Sequence, residues 1–252
     1  MLFRSDRTNL QIPTLAEPWV KAIETASNGT IKINVSGPEA VPPFDQMQPV
    51  SAGAFQFLFT HGAYHFGTTP MLATVEALGG TPKQRRESGV FELMDRHYNK
   101  HGLKLLALPQ SSLPGYQIML RRPLPASGNL QGFKIRGNPT YLSVINMLGA
   151  SMVTLPVPEV FTSMEKGVID GFAFPSFGVV STRLNEVSKF MLRPAMGIST
   201  NPLLVNLAAW NRMPAAEQKI FLEESRKAED RWTAEVDKLI VDEEKELLAK
   251  GL

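Results

Sequence analysis

The chain has 252 residues, 43% of them hydrophobic and 20% charged, with 26 Lys and Arg against 24 Asp and Glu for a formal net charge of +2. This is globular composition for one large domain or two small lobes, and the charge is too near zero to argue for a nucleic-acid surface. The absence of cysteine excludes disulfides, thiolate catalysis and Cys-zinc sites, and no apolar run is long enough to span a bilayer.

The opening MLFRSDRTN lacks the apolar core of a signal peptide, so the chain is expected to be cytosolic or to have lost a leader. Its LFRS reads as a short strand or as foreign sequence. Pro13 to Ser27 has helical periodicity, with Leu15, Trp19, Ile23 and Ala26 on one stripe. NGTIKINVSG alternates, Ile31, Ile33 and Val35 facing one way, which predicts a strand. Asp45 to Ala52 reads as a short helix capped by Asp45. GAFQFLFT is a nearly continuous apolar strand of the kind a buried parallel sheet needs, and HGAYHFGTTP after it has loop chemistry.

Arg85 to His101 reads as one helix with Val90, Leu93, Met94 and Tyr98 as its apolar face. GLKLLAL and GYQIMLRRP follow as strands. GFKIRGNPT predicts a strand ending at an arginine, then a break. Tyr141 to Leu148 is helical and stopped by Gly149. SMVTLP is a strand, Pro158 to Lys166 a helix stopped by Gly167, and VIDGFAF a strand. KFMLRPAMGISTNPLLVNLAAW holds one or two strands, and Ala215 to about Lys250 reads as one long helix. Strands alternating with helices predict an α/β fold with mostly parallel sheets. QPVSAGAFQFLFT and FTSMEKGVIDGFAFP repeat one local order, a helix, a small residue with glycine, a strand and a loop, as two lobes would.

In open α/β sheets ligands collect beyond the carboxyl ends of strands. Arg136, at such an end, offers a rigid fork of donors that matches a carboxylate; a surface pair with a local glutamate is the plain alternative. Residues two apart share a strand face, so Lys134 and Arg136 share one unless a bulge intervenes. The four histidines fall in pairs four apart, His61 with His65 and His97 with His101. That spacing holds a metal only on a helix, and the second pair has no evident third ligand, so no metal site is assigned. Gly-x-Ser-x-Gly, P-loop and Gly-x-Gly-x-x-Gly motifs are absent. Asp170 has no histidine after it and reads as a turn acceptor. Phe172 and Phe174 share one side of a strand end and suit either core packing or an apolar pocket wall.

NLQGFKIRGNP, MLGASMVTLPVPEVFTSMEKGVIDGFAFP, LNEVSKF and LLVNLAAWNRMPAAEQKIF resemble the solute-binding (DctP-like) subunits of tripartite ATP-independent periplasmic (TRAP) transporters. Arg136, Leu148 to Ala150, Glu159, Phe161, Gly167, Asp170, Gly171, Trp210 and Pro214 stand where that family's pattern asks. The resemblance implies a two-lobed α/β periplasmic-binding-protein-like fold with crossing strands and a long C-terminal helix. It implies lobe I at 1–115 with a strand from about 199–212, lobe II at 116–198, and a helix over 213–252 spanning both.

The same resemblance implies a non-enzymatic, periplasmic receptor that needs no cofactor, clamps a small organic acid in a cleft and delivers it to TRAP membrane subunits, as a monomer or homodimer. Arg136 would grip the carboxylate, with Gly137 and Pro139 turning the backbone away so that nothing covers it. Tyr64, Tyr116, Asn138, Val157, Phe172, Phe174 and Asn201 would shape the rest. Phe174 replaces the family's frequent Asn or Trp and suggests a ligand with an apolar body. Val157 and Tyr116 replace an aromatic residue and a second arginine of sialic-acid binders, which disfavours that ligand. Gln56 replaces a frequent Asp. Family members extend beyond both ends of this chain, which reads as clipped. The alternatives are an α/β enzyme acting on a carboxylate and a scaffold whose long helix binds a partner.

Overall fold

The computed structural model describes residues 1–3, 10–71, 75–76 and 78–252. The chain divides into two compact units, one made of residues 1–112 and 200–235, the other of 113–199 and 236–252.

In the first unit, strands β1 (Leu2–Phe3), β2 (Phe57–Phe59), β3 (Leu103–Ala107) and β9 (Leu203–Asn206) form a sheet in the order β1-β2-β9-β3. β1 and β2 are parallel, and β9 runs antiparallel to both of its neighbours. Both faces are covered, so β2 is apolar throughout. On one face Phe57 meets Trp19 of helix α1 (Glu17–Ala26) and Phe221 of the long helix, with ring centroids 5.6 and 5.1 Å away. On the other, Leu58, Leu105 and Leu204 share a core with Met94 and Tyr98. The expected helix at 45–52 is a turn of 3-10 helix, Pro43–Asp45, followed by α2 (Met47–Ser51). Asp45 does not cap it: Gln46 is at the N-terminal boundary, without a side-chain bond to the helix.

Two further expectations fail in this unit. Residues 31–35 alternate in exposure as a strand would, yet among the described residues they form no ladder, and Ser36 alone bridges to Leu2. Alternation describes one face of a segment and says nothing about whether a partner lies beside it. The helix expected over 85–101 is two helices, α3 (Pro82–Glu87) and α4 (Val90–Asn99), broken at Gly89, whose φ of +80° no helical residue adopts. Thr81 and Gln84 start α3 with a reciprocal capping box, Pro82 filling the first turn. The break rotates the second helix's register, so Phe91 is buried while Leu93 is 50% exposed.

In the second unit, strands β4 (Tyr116–Leu120), β5 (Lys134–Gly137), β6 (Ser151–Thr154), β7 (Gly171–Pro175) and β8 (Phe190–Met196) form a sheet in the order β6-β5-β7-β4-β8. β6, β5 and β7 are parallel, and β4 is antiparallel to β7 and β8. The sheets are thus mixed rather than mostly parallel. Each has one reversed strand, β9 or β4, and each follows closely where the chain passes from one unit to the other. Helix α5 (Leu142–Met147) buries Ile145 on one face with Ile118, Ile135 and Tyr141. Helix α6 (Val160–Glu165) buries Val160 and Met164 on the other with Met119, Phe172 and Phe174. Gly171 is required by proximity: a Cβ there would lie 2.5 Å from the Met119 carbonyl oxygen.

After α7 (Leu207–Arg212) comes helix α8 (Ala215–Ala249), whose residues through Glu235 belong to the first unit and from Val236 to the second. Each part carries a buried carboxylate into its own unit. Glu229 accepts the Leu108 backbone N–H and two N–H groups of Arg86. Glu243 accepts the backbone N–H groups of Gly178, Val179 and Val180. Burial pushes both carboxyls above the ordinary range, and these hydrogen bonds hold them back. Among the described residues no helix is long and apolar enough to cross a membrane.

Candidate functional site

β5 pairs with β6 and β7 in unbroken register, Arg136 opposite Val153 on one side and Phe172 on the other. No bulge intervenes, so Lys134 and Arg136 share a face, Lys134 exposed at the start of the strand and Arg136 enclosed near its end. The Arg136 side chain bends toward the carboxyl ends of both neighbours. Its Nε donates to the Leu155 carbonyl at 2.9 Å, just beyond β6, and its Nη1 to the Ala173 carbonyl at 3.0 Å on β7. No carboxylate pairs with it among the described residues. Arg136 is 2% exposed, and among the described residues its guanidinium donates to carbonyls and meets no carboxylate; it is an incompletely compensated charge, and an anion supplies what it lacks.

The expectation that nothing covers Arg136 is therefore corrected. The guanidinium folds back over its own sheet instead of pointing into solvent. Gly137 does not turn the chain away; it completes β5, where a Cβ would lie 2.8 Å from Ile145 Cδ1 and 3.0 Å from Met152 Sδ.

Parity along the ladder sorts the other candidates of this unit. Phe172 and Phe174 lie on the Arg136 face, ring centroids 5.9 Å apart and edge to face, and both belong to the core there, with Val157 packed against it. Tyr116 pairs with Pro175, which places its side chain on the opposite face, against Tyr141 at 5.1 Å. The neighbour that shares the Arg136 face is Gln117, opposite Phe174. Its oxygen accepts from Arg193, and its Nε2 is buried with no partner among the described residues. Asn138 caps the 3-10 turn Pro139–Tyr141, its oxygen accepting the Thr140 N–H at 3.0 Å. In this unit two further buried polar atoms have no hydrogen-bond partner among the described residues, the hydroxyls of Thr140 and Ser176. Both residues stand in the loops that leave the carboxyl ends of β5 and β7. Nothing in a single sequence marks either hydroxyl, because an empty partner position is a property of the packed chain.

Asp170 stands before β7, at the other end of the sheet. Its carboxylate accepts the Lys134 N–H at 2.9 Å and meets Arg122 Nε at 3.3 Å, which is the turn-acceptor role rather than that of a base.

Tyr64 and Asn201 belong to the first unit. Tyr64 lies in the 3-10 turn Gly62–His65 after β2, its ring centroid 5.0 Å from that of Phe44. Asn201 is fully enclosed, its N–H bonded to the Pro109 carbonyl. The same turn holds a polar network the sequence did not reveal. His61 Nδ1 accepts the Ala63 N–H, so Nε2 carries the proton it shares with Glu76 Oε1 at 2.6 Å. His65 Nε2 lies 3.0 Å from the Tyr98 hydroxyl. Burial, with smaller contributions from His61, His101 and His97, depresses His65 to about 3, and burial lowers Arg85 to about 10. The two histidine pairs thus gather in one region, yet among the described residues no group of three His, Cys, Asp or Glu side chains is placed to hold a metal ion.

Residues 8–252 match the family model DctP, bacterial extracellular solute-binding protein, family 7. A solute-binding protein of Verminephrobacter eiseniae is 28% identical over 165 residues, 64% of this chain and 48% of that protein. A monocarboxylate 2-oxoacid-binding periplasmic protein of Nostoc is 27% identical over 218 residues, 82% of this chain and 59% of that protein. The chain thus spans about half the length of these relatives. Among solved structures, DctP7 of Bordetella pertussis, an extracytoplasmic solute receptor binding pyroglutamic acid, superposes with a TM-score of 0.86 at 19% identity, covering 100% of this chain and 85% of that one. A TRAP periplasmic solute-binding protein of Rhodoferax ferrireducens with bound malonate gives 0.83 at 18% identity, covering 99% and 83%. These likenesses establish the two-lobed α/β fold.

Proposed function

We infer that this chain, which belongs to bacterial extracellular solute-binding protein family 7, captures a small organic acid outside the cytoplasm and delivers it to the membrane subunits of a TRAP transporter without altering it. Arg136 binds the carboxylate. The observation that carries this reading is the burial of that guanidinium without an acidic partner among the described residues, two of its nitrogens held by the Leu155 and Ala173 carbonyls. Those bonds fix the fork and leave its positive charge for a guest. The pairing strengthens as water is excluded, since Coulomb attraction grows as the surroundings become less polar. Relatives named for 2-oxoacids and 2,3-diketo-L-gulonate, and a neighbour holding malonate, support an acid as the class of ligand. Phe172, Phe174 and Val157 give the Arg136 face an apolar body beside the charge. Tyr64, Tyr116, Asn138 and Asn201 enter this reading through the family resemblance alone.

The test is a thermal-shift screen of organic acids followed by calorimetry on wild type and Arg136→Lys. An ammonium cannot reproduce the two-pronged fork, so the variant is expected to lose roughly tenfold or more in affinity. Equal affinity of the two proteins would refute the assignment. Recovery of a chemically changed acid from the protein would instead favour an enzyme.

A further inference from the structure

The sheet of the second unit has a charged end opposite the one where Arg136 lies. The Asp170 N–H donates to the Lys134 carbonyl at 2.8 Å, the Asp170 carbonyl accepts the Arg121 N–H at 3.0 Å, and the Lys189 N–H donates to the Leu120 carbonyl at 2.8 Å. Lys134, Arg121, Arg122 and Lys189 therefore stand side by side where β5 begins, β4 ends and β8 begins, across a width of roughly 15 Å. Lys166 joins them directly after α6: a Cβ on the next residue, Gly167, would lie 3.1 Å from Arg121 Nη1. All five cations are exposed. In the segments that form this end, residues 121–134, 147–151, 165–170 and 187–190, the acidic residues are Glu165 and Asp170. Asp170 is already engaged by Arg122 and by the Lys134 N–H. Five cations against two carboxylates leave a surplus of three, where the whole chain has +2, so the rest of the chain is slightly negative.

Large apolar side chains stand exposed among these cations. Met147 is 79% exposed and Val168 51%, and Phe190 and Leu124 are exposed as well. Met147 closes α5 and belongs to this end, because the next residue's carbonyl, that of Leu148, accepts the Leu130 N–H at 2.7 Å a few residues before β5. Lysine and arginine interleaved with exposed apolar side chains suit a surface with anionic phosphates above and hydrocarbon beneath. An acidic protein segment would meet the charges and leave the apolar groups unused.

We propose that this end of the second unit docks on an anionic phospholipid bilayer. Arg121, Arg122, Lys134, Lys166 and Lys189 meet headgroup phosphates, and Met147, Val168 and Phe190 enter the boundary between headgroups and acyl chains. The carboxyl ends of β5 and β7, with Arg136, then face away from the bilayer. The attachment is salt-sensitive, because exposed charges are screened. It requires neither a bound acid nor Arg136.

Flotation at low salt with vesicles of phosphatidylcholine alone, and with vesicles holding about one-quarter phosphatidylglycerol, tests this. Wild type is expected to float with the anionic vesicles only, and to bind them roughly tenfold or more weakly at about 0.5 M salt. Lys166→Glu combined with Lys189→Glu should weaken the attachment roughly thirtyfold or more, each lysine being worth about fivefold before its charge is reversed. Met147→Ser should weaken it about threefold through lost apolar contact. Arg136→Lys should float as wild type does, so failure of acid binding and failure of membrane docking are read separately. Wild type that stays off the anionic vesicles overturns the inference, as does a double lysine variant that floats equally well. Wild type that binds soluble polyglutamate as tightly as the anionic vesicles, with Met147→Ser unchanged toward both, overturns it in favour of an acidic protein partner.

Discussion

Glu243 accepts the backbone N–H of Val179 with the same carboxylate oxygen that accepts Val180, while its other oxygen takes Gly178. One side chain of α8 thus satisfies three consecutive donors in the loop that follows β7, the strand carrying Phe172 and Phe174 and leading to Ser176. Glu243→Gln would turn an amide NH₂ toward a donor that needs an acceptor. The expected loss is about 1–3 kcal/mol, read as a lower urea midpoint together with faster hydrogen exchange at 178–180. An unchanged midpoint would mean the loop holds itself.

His65 supplies a pH dependence of defined sign. Its folded value, about 3, lies below the ordinary 6.5, so the unfolded chain takes up the proton first. Stability is fully present above about 6.5 and drains away as pH falls toward 3, by about 1.4 kcal/mol per unit. Glu229 and Glu243, pushed upward by burial, act in the opposite sense as pH falls. The informative comparison is therefore wild type against His65→Gln. Between pH 7 and pH 5 the wild-type urea midpoint should drop more than the variant's, and parallel profiles would contradict the assignment.

Gly171 and Gly137 separate two kinds of crowding. A methyl at Gly171 meets the backbone carbonyl of Met119 at 2.5 Å, whereas one at Gly137 meets the side-chain ends of Ile145 and Met152. Side chains can rotate and a central strand cannot. Gly171→Ala should cost about 3 kcal/mol and Gly137→Ala about 1, measured as denaturant midpoints. The reverse order would show that β4 yields more readily than the α5 packing.

The sequence made most elements legible because their apolar periods are strong. GLKLLAL, GYQIM, SMVT and GFAFP stand as strands, and the helix from Ala215 ends at Ala249. Strand direction was not legible, since a fully buried run such as LLVN reads the same whichever way its neighbours point. Gly89 was passed over inside an otherwise helical pattern, as an isolated glycine often is. Arg136 was visible as an arginine at a strand end. Its enclosure, the displacement of Tyr116 to the other face and the empty hydroxyl of Ser176 all depend on which strands pair, and one sequence does not carry that information. The His61–Glu76 contact joins a turn to a segment 15 positions later, with no local pattern to announce it.

Strand β9 lies between β2 and β3 and bonds to both, yet it comes from residues 203–206. A ribosome that has finished β3 has produced the β1–β2 pair and β3 with nothing to join them, and must make roughly a hundred more residues before the joining strand emerges. The sheet of the first unit therefore cannot be completed during synthesis until residues 203–206 have emerged.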